Sequence, residues 1–139
     1  MDADEFRSIK QFISDECDYD RDLDPDDDVF QRVGITGDDA DEFIRAFETT
    51  FDVDMEHYLW YFHTEEEGAF NIGGLFFKSP DRLVSRIPIT QRVLLDSVRA
   101  GQWCIEYPDH SIPETRRDLS FNIALGVTLV VLLIWMYAS

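Results

Sequence analysis

With 139 residues, 45% of them hydrophobic and 14% aromatic, the chain can build one small folded domain and is too apolar for general disorder. Its formal charge of −17 is unevenly placed: residues 1–67 carry 23 acids against 5 bases, a net of −18, and residues 68–139 carry 6 against 7, a net of +1. A field of that sign repels phosphates and attracts basic protein surfaces or cations, which argues against direct nucleic-acid binding.

The opening MDADEF is acidic and has no apolar h-region, so no signal peptide is expected. In residues 4–17, Phe6, Ile9, Ile13 and Cys17 recur at helical spacing behind leading acids, which predicts a first helix. Residues 18–35 are rich in Asp and broken by Pro25, the composition of a solvated loop that Val29, Phe30 and Val33 pin to the core. Asp18, Asp20 and Asp22 begin like a calcium loop. Leu23 and Val29 then stand where that loop needs Gly and Glu, so no specific calcium site is expected. Cys17 and Cys104 form neither a disulfide framework nor a zinc-ligand set, in keeping with a reducing compartment.

From Thr36 the pattern sharpens. Ala40, Phe43, Ile44, Phe47 and Phe51 lie on one helical face, with Thr36 as N-cap and Asp39 completing a shortened capping box. The opposite side presents Asp38, Asp39, Asp41, Glu42, Arg45 and Glu48, the candidate partner-binding face. A short helix is predicted over Met55–Phe62, with His57 and His63 as surface or packing histidines rather than metal ligands. Ala69–Phe77 holds two β-prone runs about Gly73 and Gly74 and predicts a small hairpin. Thr90 and Gly101 bracket a last helix whose stripe is Leu94, Leu95 and Val98.

The end of the chain differs in kind. Phe121–Ala138 is uncharged and spans roughly 27 Å as a helix, close to the hydrocarbon thickness of a bilayer. Arg116 and Arg117 precede it and Trp135 and Tyr137 lie near its far end, which predicts a transmembrane tail with the domain on the cytoplasmic side. Ala124 and Thr128 have small-xxx-small spacing, which permits helix pairing. The expected division is a domain at 1–103, a linker at 104–118 and the tail at 119–139.

VGITGDDADEFIRAFETTFDVDM, Val33 to Met55, resembles the acyl carrier signature of Leu-Gly-x-Asp-Ser-Leu, an acidic helix and a Glu-Glu-Phe-Asp-x-Glu-Ile ending, matched at Glu48, Phe51, Asp52, Asp54 and Met55. GDDADEF, the Tyr61-Phe62 pair and the stretch from Ile87 to Trp103 make residues 4–104 similar to a family of small bacterial acidic proteins known as a domain of unknown function with carrier-like character. The resemblance implies a mainly α, acyl-carrier-like helical bundle, here with the hairpin inserted and a transmembrane helix appended. It also places the carrier's phosphopantetheine-bearing serine at Gly37, which has no nucleophile, and its preceding aspartate at Thr36. No covalent acyl cargo is therefore expected.

The resulting expectation is a membrane-tethered, carrier-like acidic module that docks a basic protein partner at the bacterial inner membrane, without cofactor, metal or catalysis. No Ser/His/Asp, Cys/His, metal or phosphate-loop constellation points to an enzyme. An immunity-type inhibitor that plugs a basic active site at that membrane is the alternative.

Overall fold

The computed structural model describes residues 2–67 and 71–139. Five α-helices follow in order: α1 (Asp2–Cys17), α2 (Val29–Val33), α3 (Gly37–Phe51), α4 (Gln91–Ala100) and α5 (Arg117–Ala138). Short 3-10 turns occur at Trp60–Phe62, Gly73–Leu75 and Pro80–Arg82. Among the described residues there is no strand, and a single parallel bridge joins Asp54 to Gln102.

The core forms where the apolar stripes of α1, α3 and α4 face one another. Ile9, Phe12 and Ile13 from α1 meet Ala40, Phe43, Ile44 and Phe47 from α3 and Leu94 and Leu95 from α4. The Phe12 ring lies edge-on to Phe43, Phe47 and Phe51 at centroid distances of 5.1, 5.9 and 5.3 Å. Phe47 is fully buried at their centre, where truncation to Ala would cost about 3 to 5 kcal/mol.

The acidic loop is tied down at both ends of α2. Asp28 caps it by accepting from the Gln31 N–H, and Gly34 closes it at φ 77°, a left-handed value that glycine adopts without steric cost. Val29 and Phe30 are buried as expected of pinning residues. The Gln91 amide donates to the Leu23 carbonyl at 3.0 Å and holds the loop against the start of α4. Thr90 caps α4 by accepting from Val93 N–H at 3.2 Å, and Gly101 ends it at φ 70°.

Three expectations are corrected. The hairpin at Ala69–Phe77 is absent among the described residues, with Ala69 and Phe70 lying outside them. Gly73 donates instead to Asn122 Oδ1 at 2.7 Å and Gly74 to Asn71 Oδ1 at 2.8 Å, so side chains take the hydrogen bonds that a ladder needs. The predicted helix over Met55–Phe62 is reduced to the turn at Trp60–Phe62, because Leu59 is extended and its N–H goes to the Tyr107 hydroxyl at 3.1 Å. Thr36 stands at the N-cap position of α3 without capping it. Its hydroxyl donates to Glu67 Oε1 at 2.9 Å, and no capping box forms.

Past α4 the chain runs back along the domain. Ile105 and Tyr107 pack half-buried against the core before α5 begins. α5 contains an 18-residue window of mean hydropathy 2.3, none of it buried, and its 22 residues are long and apolar enough to cross a membrane. They extend about 33 Å, against a hydrocarbon core of about 30 Å.

Candidate functional site

The junction that opens α3 is held by a distant segment. The Gly37 N–H donates to the Thr64 hydroxyl at 3.2 Å while Thr36 reaches Glu67, so residues 64–67 supply the contacts at this helix end. Gly37 has φ 52°, and a Cβ there would meet the side chain of Glu67. A serine at this position would be strained by its backbone even after Glu67 swung away.

From that anchored start α3 turns its charges outward. Asp38, Asp39, Glu42, Arg45 and Glu48 are exposed and Asp41 is half-buried. The helical repeat sets Asp38, Glu42 and Arg45 along one stripe, with Asp39 on one flank and Asp41 and Glu48 on the other. Among the described residues none of the six is in an ion pair.

The neighbouring acidic loop is different. Asp22 pairs with Lys10 at 3.9 Å, Asp26 with Arg92 at 2.6 Å, Asp27 with Arg32 at 3.1 Å and Asp28 with Arg86 at 2.9 Å. Four of the loop's seven aspartates are therefore answered within the fold, whereas among the described residues Asp18, Asp20 and Asp24, like the acids of α3, are in no ion pair. The sequence alone shows both as acidic runs and carries no sign of this division.

A second cluster lies inside. His63 is fully buried, with Nδ1 2.7 Å from the Ile87 carbonyl oxygen and Nε2 2.7 Å from the Tyr107 hydroxyl. Because a carbonyl only accepts, Nδ1 carries the proton and Nε2 accepts from Tyr107. The Tyr107 oxygen in turn accepts from Leu59 N–H and from Trp103 Nε1–H at 2.8 Å. Tyr58 stacks on the His63 ring at 5.3 Å. Burial lowers the His63 pKa to about 4, outweighing the opposing effect of its bond to Ile87, and keeps the imidazole neutral. His63 is thus a packing histidine that joins three chain segments, around 58–63, Ile87 and 103–107, while His57 is exposed.

The two cysteines are free, and burial together with Glu16 and Asp39 raises the Cys17 thiol to about 11. Among the described residues no group of three or more His, Cys, Asp or Glu side chains is placed to hold a metal ion.

A third feature escaped sequence reasoning. The loop from Asn71 docks on the first turns of α5 through Asn71, Gly73, Asp118 and Asn122, with Arg116 bound to Asp118 and Glu66 at 2.7 Å each. Its only local signal was the Gly73-Gly74 pair, which also suits a turn.

No curated protein and no solved structure matches the chain significantly. A family model described as "Protein of unknown function (DUF1493)" matches residues 5–106, a range that holds the helical core, the α3 face and the His63 cluster and stops before α5. The chain belongs to the DUF1493 family of proteins of unknown function.

Proposed function

We propose that the chain is a membrane-tethered acidic protein-interaction module with an acyl-carrier-like helical domain and no attachment point for a phosphopantetheine arm. The observation that carries this reading is the unpaired charge on α3. Among the described residues Asp38, Asp39, Asp41, Glu42 and Glu48 stand without a cation, whereas four of the seven aspartates of the adjacent loop each have one. Charges held on a packed helix steer a basic protein surface and orient it on arrival.

The positive φ of Gly37 supports the absence of covalent cargo, because the position that a carrier gives to its modified serine is here shaped for glycine. The tether is α5, which we place in the bacterial inner membrane with the domain on the cytoplasmic side, where Arg117 flanks the span. The module carries out no chemistry of its own.

The test is a full-length chain carrying Asp41→Lys, Glu42→Lys and Glu48→Lys together, compared with the unaltered protein as bait in detergent-solubilised membranes. The variant is expected to fold, by circular dichroism, and to associate with the partner on the order of tenfold more slowly at physiological salt. Raising salt should slow the unaltered protein toward the variant, since exposed charges are screened within about 8 Å. A folded variant that captures the same partner at an unchanged rate moves the interface away from α3.

A further inference from the structure

The large apolar side chains that the described residues leave exposed fall in only two places. One is α5, and the other is the segment 72–83, where Ile72, Leu75, Phe76, Phe77 and Leu83 all face outward. Leu75 is 82% exposed and Phe76 67%. Elsewhere the domain hides such side chains, so this patch is not the ordinary scatter of surface hydrophobics.

Its position is set by hydrogen bonds. Gly73 donates to Asn122 at 2.7 Å, Asn71 donates to Asp118 at 2.9 Å, and Asn122 donates back to Asn71 at 2.8 Å. The Phe76 ring lies 5.2 Å from Phe121. A Cβ on Gly73 would land on the Asp118 carbonyl oxygen, so the backbones of loop and helix are in direct contact. The loop is thereby fixed at the level of residues 118–122, where the apolar run of α5 begins.

The charge on the loop itself is of the right sign, while Glu65, Glu66 and Glu67 share with Leu75 and Arg82 the cleft on its other side. Residues 71–83 contain Lys78 and Arg82 against Asp81, in a chain whose first 67 residues carry a net of −18. A cleft of about 360 Å³ separates the loop from residues 112–118 and is lined by Phe76, Phe77, Leu83 and Ile112 together with Lys78, Arg117 and the mutually paired Arg116 and Asp118. Apolar walls beside two cations match the boundary between lipid headgroups and acyl chains.

We infer that the segment 72–83 is a membrane wedge: Leu75, Phe76 and Phe77 enter the headgroup–acyl boundary of the leaflet that α5 pierces, with Lys78, Arg82 and Arg117 on the lipid phosphates. This rests on α5 being a span. The wedge and the span together make two attachments, which restrict the domain's tilt.

The experiment places one fluorescent nitrobenzoxadiazole label at a time on the full-length chain, with Cys17→Ala and Cys104→Ser removing the native thiols. Leu75→Cys reports the wedge, Leu129→Cys the span and Thr50→Cys the aqueous face of the domain. Each protein is reconstituted in vesicles of phosphatidylcholine and phosphatidylglycerol, and quenching is read from doxyl groups set either near the headgroup or deep in the acyl chain. The expected result is strong loss of fluorescence at position 75 with the shallow quencher, at 129 with the deep one, and at 50 with neither. Position 129 quenched while 75 stays in water overturns the wedge and leaves the span intact. Position 75 shielded from water yet insensitive to both quenchers assigns the patch to protein contact and also overturns the wedge. Position 129 in water overturns the span itself. Leu75 is exposed, so its substitution removes no packing that folding needs.

Discussion

Placing a titratable ring where water cannot follow makes His63 a sensor of folding. Its pKa is lowered to about 4 by burial, whereas an unfolded chain leaves it near 6.5. The folded state therefore binds fewer protons than the unfolded state as pH falls from 6.5 to 4, and stability contributed by the neutral ring is complete above 6.5 and lost through that interval. The slope is about 1.4 kcal/mol per pH unit, a total of ~3 kcal/mol from this residue. Denaturant titrations of the full-length protein in nonionic detergent should show that loss. His63→Gln keeps an amide to donate to Ile87 and an oxygen to accept from Tyr107, and it does not titrate. Its stability should fall less steeply over the same range, and equal slopes in the two proteins would show that His63 takes up a proton within the fold.

At the scale of elements, Gly73 decides whether the loop at 71–77 stays on α5. Gly73→Ala forces the new Cβ onto the Asp118 carbonyl and should release the loop, read as faster amide exchange at residues 71–77 with exchange in α1 and α3 unchanged. Gly126→Ala, with nothing near the added atom, is the control and should leave that exchange unaltered. The same contrast explains what was legible in the chain. α1, α3 and α4 could be read because their apolar residues recur at helical spacing and their burial follows that spacing. Between Asp54 and Ile89 the backbone instead bonds to side chains far along the chain, Leu59 to Tyr107 and Gly73 to Asn122, and the Thr64 hydroxyl accepts from the distant Gly37 N–H. Such partners leave no local period, so a hairpin and a helix were expected where turns occur. The α3 face was legible as polar positions opposite an apolar stripe. Its lack of cations was not, because the pairing of Asp22, Asp26, Asp27 and Asp28 depends on Lys10, Arg92, Arg32 and Arg86, which only the fold brings close.

For the whole molecule, the question is how far the tail and the domain depend on each other. The core cluster draws its residues from Ile9 to Trp103, with Ile105 and Tyr107 packed against it, and includes none from α5. Truncation after Glu114 should therefore leave a cooperatively unfolding domain with its His63 network intact, recovered in the supernatant. The full-length chain should stay with carbonate-washed membranes, as a spanning helix requires. The truncated domain will not be identical to the tethered one. Loss of Arg116, Asp118 and Asn122 strips Glu66 of its cation, Asn71 of two partners and the Gly73 N–H of its acceptor. Residues 71–77 should then exchange quickly, as in Gly73→Ala, while α1, α3 and α4 keep their protection. A truncated chain that fails to fold would make the first turns of α5 part of the domain's stability. A full-length chain released by carbonate would remove the tether, and with it the reason for Leu75 and Phe76 to stand exposed beside Phe121.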